Sequence, residues 1–244
     1  MWLLVCLACQ LIYVSEKMIV INDLSKTFRT EEVETTALNR FNLTVERGEF
    51  IAIMGPSGCG KSTLLNILGL LDHATGGTYL FEGKDVTHLS ERKRTRLRRG
   101  NIGFIFQSFN LIDELTVQQN IELPLVYMKI RPAERTIRSR EIMEMLDISH
   151  RANHYPRQLS GGQQQRVAIA RAVVGHPSLI LADEPTGNLD SKNGEEVMKY
   201  LNRLNKAGST IIMVTHSEEQ AILTNRIVQL FDGHRVTENI RQAV

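Results

Sequence analysis

Residues 55–63 form a glycine-rich segment that constrains the fold of this chain more than any other stretch. The segment fits the spacing Gly-x-x-x-x-Gly-Lys-Ser. Its members are Gly55, Pro56, Ser57, Gly58, Cys59, Gly60, Lys61, Ser62 and Thr63. An apolar run at residues 50–54 predicts a buried strand before it, and apolar residues at helical spacing follow at 64–71. Strand, glycine loop and helix in this order are the context that a phosphate-binding loop requires.

The residue types in this loop suit the binding of nucleotide phosphates. Glycines allow the backbone to curl so that successive N–H groups point at phosphate oxygens. The N-terminus of the following helix adds a partial positive charge. Lys61 can reach the β- and γ-phosphates, and the Ser62 hydroxyl can ligate Mg²⁺. The sequence therefore predicts a P-loop NTPase.

The rest of the composition fits one large α/β domain. The chain has 244 residues, 42% of them hydrophobic, and strand-like runs alternate with helical ones. The net charge of +2 provides no global field that would attract nucleic acid. Three cysteines without a paired framework suit a reducing compartment. From residue 115 to about 150 the pattern is helical, with helix starts at Thr116 and at residues 131–134, which predicts an inserted helical subdomain at about 108–157.

Two segments stand apart from this pattern. Residues 1–17 form an apolar N-terminal extension, too short to span a bilayer comfortably and lacking the positive start of a secretory signal. Our hypothesis is that Met18 is the native start. The second segment is the basic run at residues 92–99, which favours a solvated helix face. Contact with lipid head groups or with a partner is the alternative.

Polar residues follow several predicted strands at the edge where ligands bind in open α/β sheets. Gln107 ends the predicted strand at 100–106, and Asp183 and Glu184 end the apolar strand at 179–182. In a phosphate-loop protein Asp183 would hold Mg²⁺, and Glu184 would polarise the attacking water. His216 follows the buried strand at 210–215, a position where histidine is more often structural when it stands alone.

A second glycine-containing segment precedes the helix predicted at residues 164–174. Its members are Ser160, Gly161, Gly162 and Gln163. Backbone N–H groups at a helix N-terminus can bind an anion, but no lysine follows as it does in the phosphate loop. The segment therefore looks like half of an anion site.

In combination, these motifs resemble the nucleotide-binding domain of ABC transporters. Six motifs match in order: Walker A at residues 55–63, the Q-loop at Gln107, the signature at 159–163, Walker B at 179–184, the D-loop at 187–190 and the switch histidine at His216. The resemblance covers the chain from Met18 onward. It implies a RecA-like core with a mostly parallel sheet, an antiparallel β subdomain and an inserted α-helical subdomain.

The resemblance also implies roles for individual residues. Phe28 would stack on adenine, at a position where tyrosine is more usual. Glu184, His216 and Gln107 would be catalytic. Ser62, Gln107 and Asp183 would hold Mg²⁺. Asp190 and the signature residues would contact ATP across a head-to-tail homodimer, so the expected cofactors are ATP and Mg²⁺.

Residues 118–124 and 186–191 narrow the resemblance to one branch of the family. They are similar to the macrolide exporters, lipoprotein-release ATPases and cell-division ATPases. That branch implies an ATPase at the cytoplasmic face of the inner membrane, working with a membrane permease subunit. A non-transport ATPase acting on DNA is the alternative. It is disfavoured because no coiled coil separates Walker A from the signature and no paired cysteines form a zinc module.

Overall fold

The computed structural model describes residues 17–29 and 34–240, without the side chains of residues 235–240. The hypothesis about residues 1–17 therefore lies outside the described residues, apart from Lys17. Within the described residues the strands are β1 Lys17–Arg29, β2 Glu34–Glu46, β3 Phe50–Met54, β4 Gly76–Phe81, β5 Lys84–Asp85, β6 Ile102–Phe106, β7 Leu179–Asp183, β8 Thr210–Val214, β9 Arg226–Phe231 and β10 His234–Ile240.

Seven α-helices lie in the same described ranges, together with two 3₁₀ turns at Ser149–Arg151 and Pro156–Gln158. The helices are α1 Lys61–Leu68, α2 Glu91–Arg98, α3 Val117–Tyr127, α4 Pro132–Met145, α5 Gly161–Val173, α6 Ser191–Lys206 and α7 Glu218–Ala221. None of them is long and apolar enough to cross a bilayer.

Capping chemistry explains where three of these helices begin. Thr116 accepts a hydrogen bond from the Gln119 amide and caps α3, and Pro132 opens α4, as the sequence predicts. Helix α5 begins at Gly161, earlier than the predicted residue 164, because Ser160 caps it through the Gln163 amide.

The strand before the phosphate loop, β3, lies inside a six-stranded sheet of order β10-β9-β3-β8-β7-β6. All neighbours pair in parallel except β10, which forms an antiparallel hairpin with β9. Every residue of β3 and β8 is buried, as expected for parallel strands covered on both faces. The predicted mostly parallel core is confirmed.

A second sheet is antiparallel, with the order β2-β1-β4-β5. Its aromatic side chains Phe41, Tyr79 and Phe81 are buried in one core cluster with α1 and one face of the parallel sheet. Helices α3, α5 and α6 cover the opposite face and form the other cluster. The predicted antiparallel unit is therefore present, and the helical insert contributes α3 and α4. Its boundary at 108–157 stays a prediction.

The segment that joins the parallel sheet to α3 is held by one buried amide. The Asn120 side chain is fully buried. Its Oδ1 accepts from the Ile112 N–H at 2.8 Å, and its Nδ2 donates to the carbonyls of Ile112, Leu115 and Thr116 at 3.0–3.1 Å. Arg171 of α5 donates to the Phe109 carbonyl at 2.8 Å and so holds the start of the same segment.

Replacement of this amide should destabilise the protein. Asn120→Ala leaves a buried N–H and several carbonyls without their partner, so we expect a loss of about 2–4 kcal/mol in the free energy of unfolding. Urea denaturation monitored by circular dichroism measures this loss. The exposed Asn153→Ala is the matched control and should stay near wild type. Equal stability of the two variants would contradict the proposed role of Asn120.

Candidate active site

The carboxyl ends of four neighbouring parallel strands lie at one level of the sheet. Phe106 pairs with Asp183, Asp183 pairs with Val214, and Val214 pairs with Ile53. The segments that follow these strands carry Gln107, Glu184, His216 and the phosphate loop. The topology therefore brings to one edge residues that lie up to about 160 positions apart in sequence.

The phosphate loop has a backbone shape that requires glycine. Gly58 and Gly60 adopt φ values of +81° and +101°. A Cβ atom on Gly60 would lie 2.3 Å from the Ala37 carbonyl oxygen, and one on Gly55 would lie 2.1 Å from the Leu230 carbonyl oxygen. The loop is thus pressed against β2 and β9, and it leaves no room for side chains at Gly55 and Gly60, whereas Gly58 is required for its positive φ alone.

The side chains of the loop divide into exposed and buried groups. Pro56, Ser57 and Ser62 are exposed, and Thr63 is half-buried. The Lys61 ammonium donates to the carbonyls of Gly55 and Pro56 at 2.7 and 2.8 Å, so it lies across the loop. Cys59 is buried in the core cluster. Only its backbone is therefore available to a ligand.

Burial shapes the electrostatics of the acidic pair at the end of β7. Burial and then the neighbouring Glu184 raise the pKa of Asp183, whereas the charge of Lys61 opposes them. A divalent cation would stabilise the charged form of this carboxylate. The donors predicted for it, Asp183, Ser62 and the amide of Gln107, all offer oxygen, and a single carboxylate with neutral oxygens suits Mg²⁺.

Glu184 is held in one orientation by the backbone and by His216. Its φ of +45° is left-handed, which is uncommon outside glycine. Its backbone N–H donates to the Val214 carbonyl at 2.9 Å. Its Oε2 lies 2.5 Å from Nδ1 of His216, whose ring is largely exposed. The structure therefore joins the predicted base to the predicted switch histidine in direct contact.

Gln107 contacts the D-loop of the same chain. Its Nε2 donates to Asn188 Oδ1 at 3.2 Å, and Asn188 Nδ2 donates back to the Gln107 carbonyl at 3.0 Å. A Cβ atom on Gly187 would lie 2.7 Å from Gln107 Nε2. Gly187 therefore allows this close approach.

The signature residues lie at the N-terminus of α5, away from the phosphate loop. Ser160 is exposed and forms a capping box with Gln163. The nearest atoms to a Cβ on Gly161 belong to Phe109, Asn188 and Leu189, and none belongs to residues 55–63. In this chain, the structure does not bring the two predicted halves of the phosphate site together.

Gly162 packs directly on α6 beside the predicted Asp190. A Cβ atom at residue 162 would lie 2.1 Å from Asn193 Oδ1. Asp190 caps α6 by accepting from the backbone and side-chain nitrogens of Asn193 at 2.9 and 2.6 Å. These hydrogen bonds lower the pKa of Asp190 and favour its charged form.

Phe28 lies on β1 with its ring about half exposed. The Lys26 ammonium lies 4.9 Å from the ring centroid. It is held there by Asp72 at 2.8 Å. The exposed part of the ring is accessible and suits stacking on a base.

Sequence reasoning missed several residues that position the site. Asn188 and Asn193 act through contacts described above. Gln165 is fully buried and donates to the carbonyl of Pro185, just after Glu184. One signal was available for Gln165: it shares helical spacing with the buried Ala168 and Ala172, so it is a polar residue on an apolar face.

Comparison with known proteins agrees with this geometry. The ABC transporter family matches residues 38–187. An uncharacterized ABC transporter ATP-binding protein of Methanocaldococcus jannaschii is 51% identical over 219 residues, which cover 90% of this chain and 98% of that protein. A macrolide export ATP-binding/permease protein of Azoarcus is 49% identical over 88% of this chain, and the match spans 33% of its length.

Solved structures extend the similarity to the whole fold. The ATP-binding cassette MJ0796, solved as a dimer in a post-hydrolysis state with ADP and phosphate, is 44% identical and superposes with a TM-score of 0.86. The match covers 93% of this chain and all of that one. The predicted fold and the predicted ATPase class are confirmed: this chain belongs to the ABC transporter family, of which it is an ATP-binding cassette.

Proposed function

We propose that this protein binds MgATP between two copies of itself and hydrolyses it to drive a membrane subunit. The contact between Glu184 and His216 at the edge that carries the phosphate loop supports this most directly. A carboxylate fixed beside a triphosphate-binding loop can position and deprotonate a water molecule. Phosphoryl transfer to water needs this positioning and charge neutralisation more than covalent chemistry.

Each group has a defined part in the reaction. Phe28 stacks on the adenine, and the N–H groups of residues 55–63 with Lys61 bind the phosphates. Glu184 accepts a proton from the water that attacks the γ-phosphorus, the bond to the β,γ-bridging oxygen breaks, and ADP and phosphate leave. His216 holds the Glu184 carboxylate in place. Mg²⁺ bound by Ser62, Asp183 and Gln107 would neutralise phosphate charge.

The signature supplies the reason for a dimer. Ser160 and Gly161 lie at the N-terminus of α5 and are accessible to solvent. The nearest atoms around Gly161 do not belong to the phosphate loop of the same chain. We propose that Ser160 and Gly161 bind the γ-phosphate of ATP held by the partner copy in a head-to-tail homodimer. The cassette MJ0796, solved as a dimer with ADP and phosphate, supports the association of two copies.

An apolar groove offers a docking site for the membrane subunit. It has a volume of about 430 Å³ and lies between α2, β6 and α3, where Leu71, Phe104, Phe106, Leu123 and Tyr127 line it. Leu71 is 44% exposed and Tyr127 is 62% exposed. In the fused macrolide exporters this chain matches about a third of the length. We propose that a cytoplasmic segment of a permease subunit fills the groove and holds the cassette at the cytoplasmic face of the inner membrane.

Glu184→Gln should separate binding from hydrolysis. Because the amide cannot accept the water proton, we expect turnover to fall by about 10²–10⁴ while ATP affinity is retained. Phosphate release and fluorescent-nucleotide binding measure the two properties. Glu141→Gln, an exposed carboxylate on α4, is the control and should keep its activity. Near-normal turnover in Glu184→Gln would move the base role to another group.

Mixed mutant dimers test the shared site. Lys61→Ala damages the cradle of its own chain, and Gly161→Asp places a carboxylate beside the partner's phosphate. Gly161 suits this test better than Gly162, since a Cβ at Gly161 meets its nearest neighbour at 3.5 Å, within normal contact. Each homodimer should be nearly inactive, whereas a mixture forms heterodimers with one intact composite site and should recover part of the activity.

The control for the mixture is a dimerisation assay on the same samples. Gly76→Asp, at an uncrowded glycine of β4, should be active without mixing. The contradicting outcome is a mixture that dimerises with ATP but recovers no activity. One intact composite site would then not be sufficient for hydrolysis. The proposal that each composite site works without the other would be wrong.

A charge in the groove should uncouple the two subunits. We expect Leu71→Glu with Tyr127→Glu to weaken permease binding about tenfold or more, because a carboxylate would be buried in an apolar interface. Basal ATPase of the isolated cassette should persist. Ile137→Glu with Met145→Glu changes exposed apolar residues of α4 outside the groove and serves as the control. Unchanged co-purification of the groove variant would exclude this docking site.

A further inference from the structure

Helix α2 carries an excess of positive charge that the ATPase site does not use. One acid, Glu91, opens the helix, and six basic residues follow up to its C-cap: Arg92, Lys93, Arg94, Arg96, Arg98 and Arg99. The whole chain has a net charge of only +2, so this excess is local. No residue of α2 is fully buried.

Three of these arginines face one shallow depression. Arg92, Arg96 and Arg99 are exposed and lie at i, i+4 and i+7, which places them on one side of the helix. Together with Glu91 and Thr95 they line a space of about 490 Å³. Among the described residues, none of the three arginines forms an ion pair with a carboxylate. The depression therefore presents three guanidinium groups against the single carboxylate of Glu91, which leaves an excess of positive charge.

The remaining arginines hold the helix and crowd the charge. Arg98 donates to the Leu70 carbonyl at 2.7 Å and ties α2 to the segment that follows α1. Burial, and secondarily the charge of Arg94, lower the pKa of Arg98. The Nε atom of Arg94 is buried without a hydrogen-bond partner among the described residues. An anion near α2 would relieve this repulsion.

The depression borders the apolar groove, since Thr95 and Arg99 line both. If the groove receives the membrane subunit, as proposed above, α2 lies on the side of the cassette nearest the bilayer. The inference that follows rests on that part of the proposed function. The residues that line the depression are a second basis for the inference, and they do not depend on the docking of a membrane subunit.

We infer that Arg92, Arg96 and Arg99 bind the phosphate groups of anionic phospholipids at the membrane surface. A guanidinium group matches two phosphate oxygens at once. The residues that line the depression include no apolar side chain, whereas protein interfaces depend on buried aromatic or aliphatic anchors. Lipid phosphates provide negative charge across the whole face without such an anchor.

Vesicle sedimentation with the purified full chain tests this inference. Wild type should bind vesicles that contain phosphatidylglycerol, should bind pure phosphatidylcholine weakly, and should lose binding as salt is raised. The triple change R92Q/R96Q/R99Q should weaken binding at least about tenfold, since each basic residue near an anionic surface contributes roughly fivefold. R92K/R96K/R99K should retain most of the binding.

The matched control removes three exposed charges elsewhere, in R140Q/R203Q/K206Q, and should bind vesicles nearly as wild type does. An equal loss in that control would reduce the effect to net charge and overturn the inference. Absence of vesicle binding by wild type would also overturn the inference. So would a result in which R92Q/R96Q/R99Q binds vesicles normally but no longer co-purifies with the permease. That result would indicate that the three arginines contact an acidic protein segment instead. ATPase activity measured without vesicles reports separately on the proposed function and should be the same in all these variants.

Discussion

The site depends on the hydrogen-bond register of the parallel sheet. Because Phe106, Asp183, Val214 and Ile53 are paired across adjacent strands, the segments that follow them leave the sheet at one level. Parallel strands direct all their carboxyl ends to the same edge, which is why ligands bind there in open α/β sheets. A slip of one residue in any strand would turn its side chains to the opposite face and separate the predicted site residues.

A second layer of polar contacts links this edge to the predicted dimer surface. Gln107 joins Asn188 of the D-loop, and Gln165 of α5 joins Pro185 behind the acidic pair. Gly162 packs on Asn193 without space for a side chain. The helix that carries the signature is thereby connected to the strand edge of its own chain that carries Glu184.

The sequence was most informative where a constraint is local. Gly58 and Gly60 mark a loop with positive φ, Thr116 marks a helix start, and Asp183 with Glu184 marks a strand end. Consecutive residues carry all of these signals. An error arose at a boundary: α5 begins at Gly161 rather than at residue 164 because of the Ser160 cap. The roles of the site residues and the domain boundaries stay predictions.

The sequence by itself determined the phosphate loop, the order of the motifs and the alternation of strands and helices, since backbone conformation follows from neighbouring residues. Only the tertiary structure decided which partners these residues have. The pairs Gln107–Asn188 and Arg171–Phe109 join positions 81 and 62 residues apart. The burial of Cys59 and the neighbours of Gly161, which are Phe109, Asn188 and Leu189, likewise follow from packing. Such contacts are set by strand order and helix placement, which no local pattern contains.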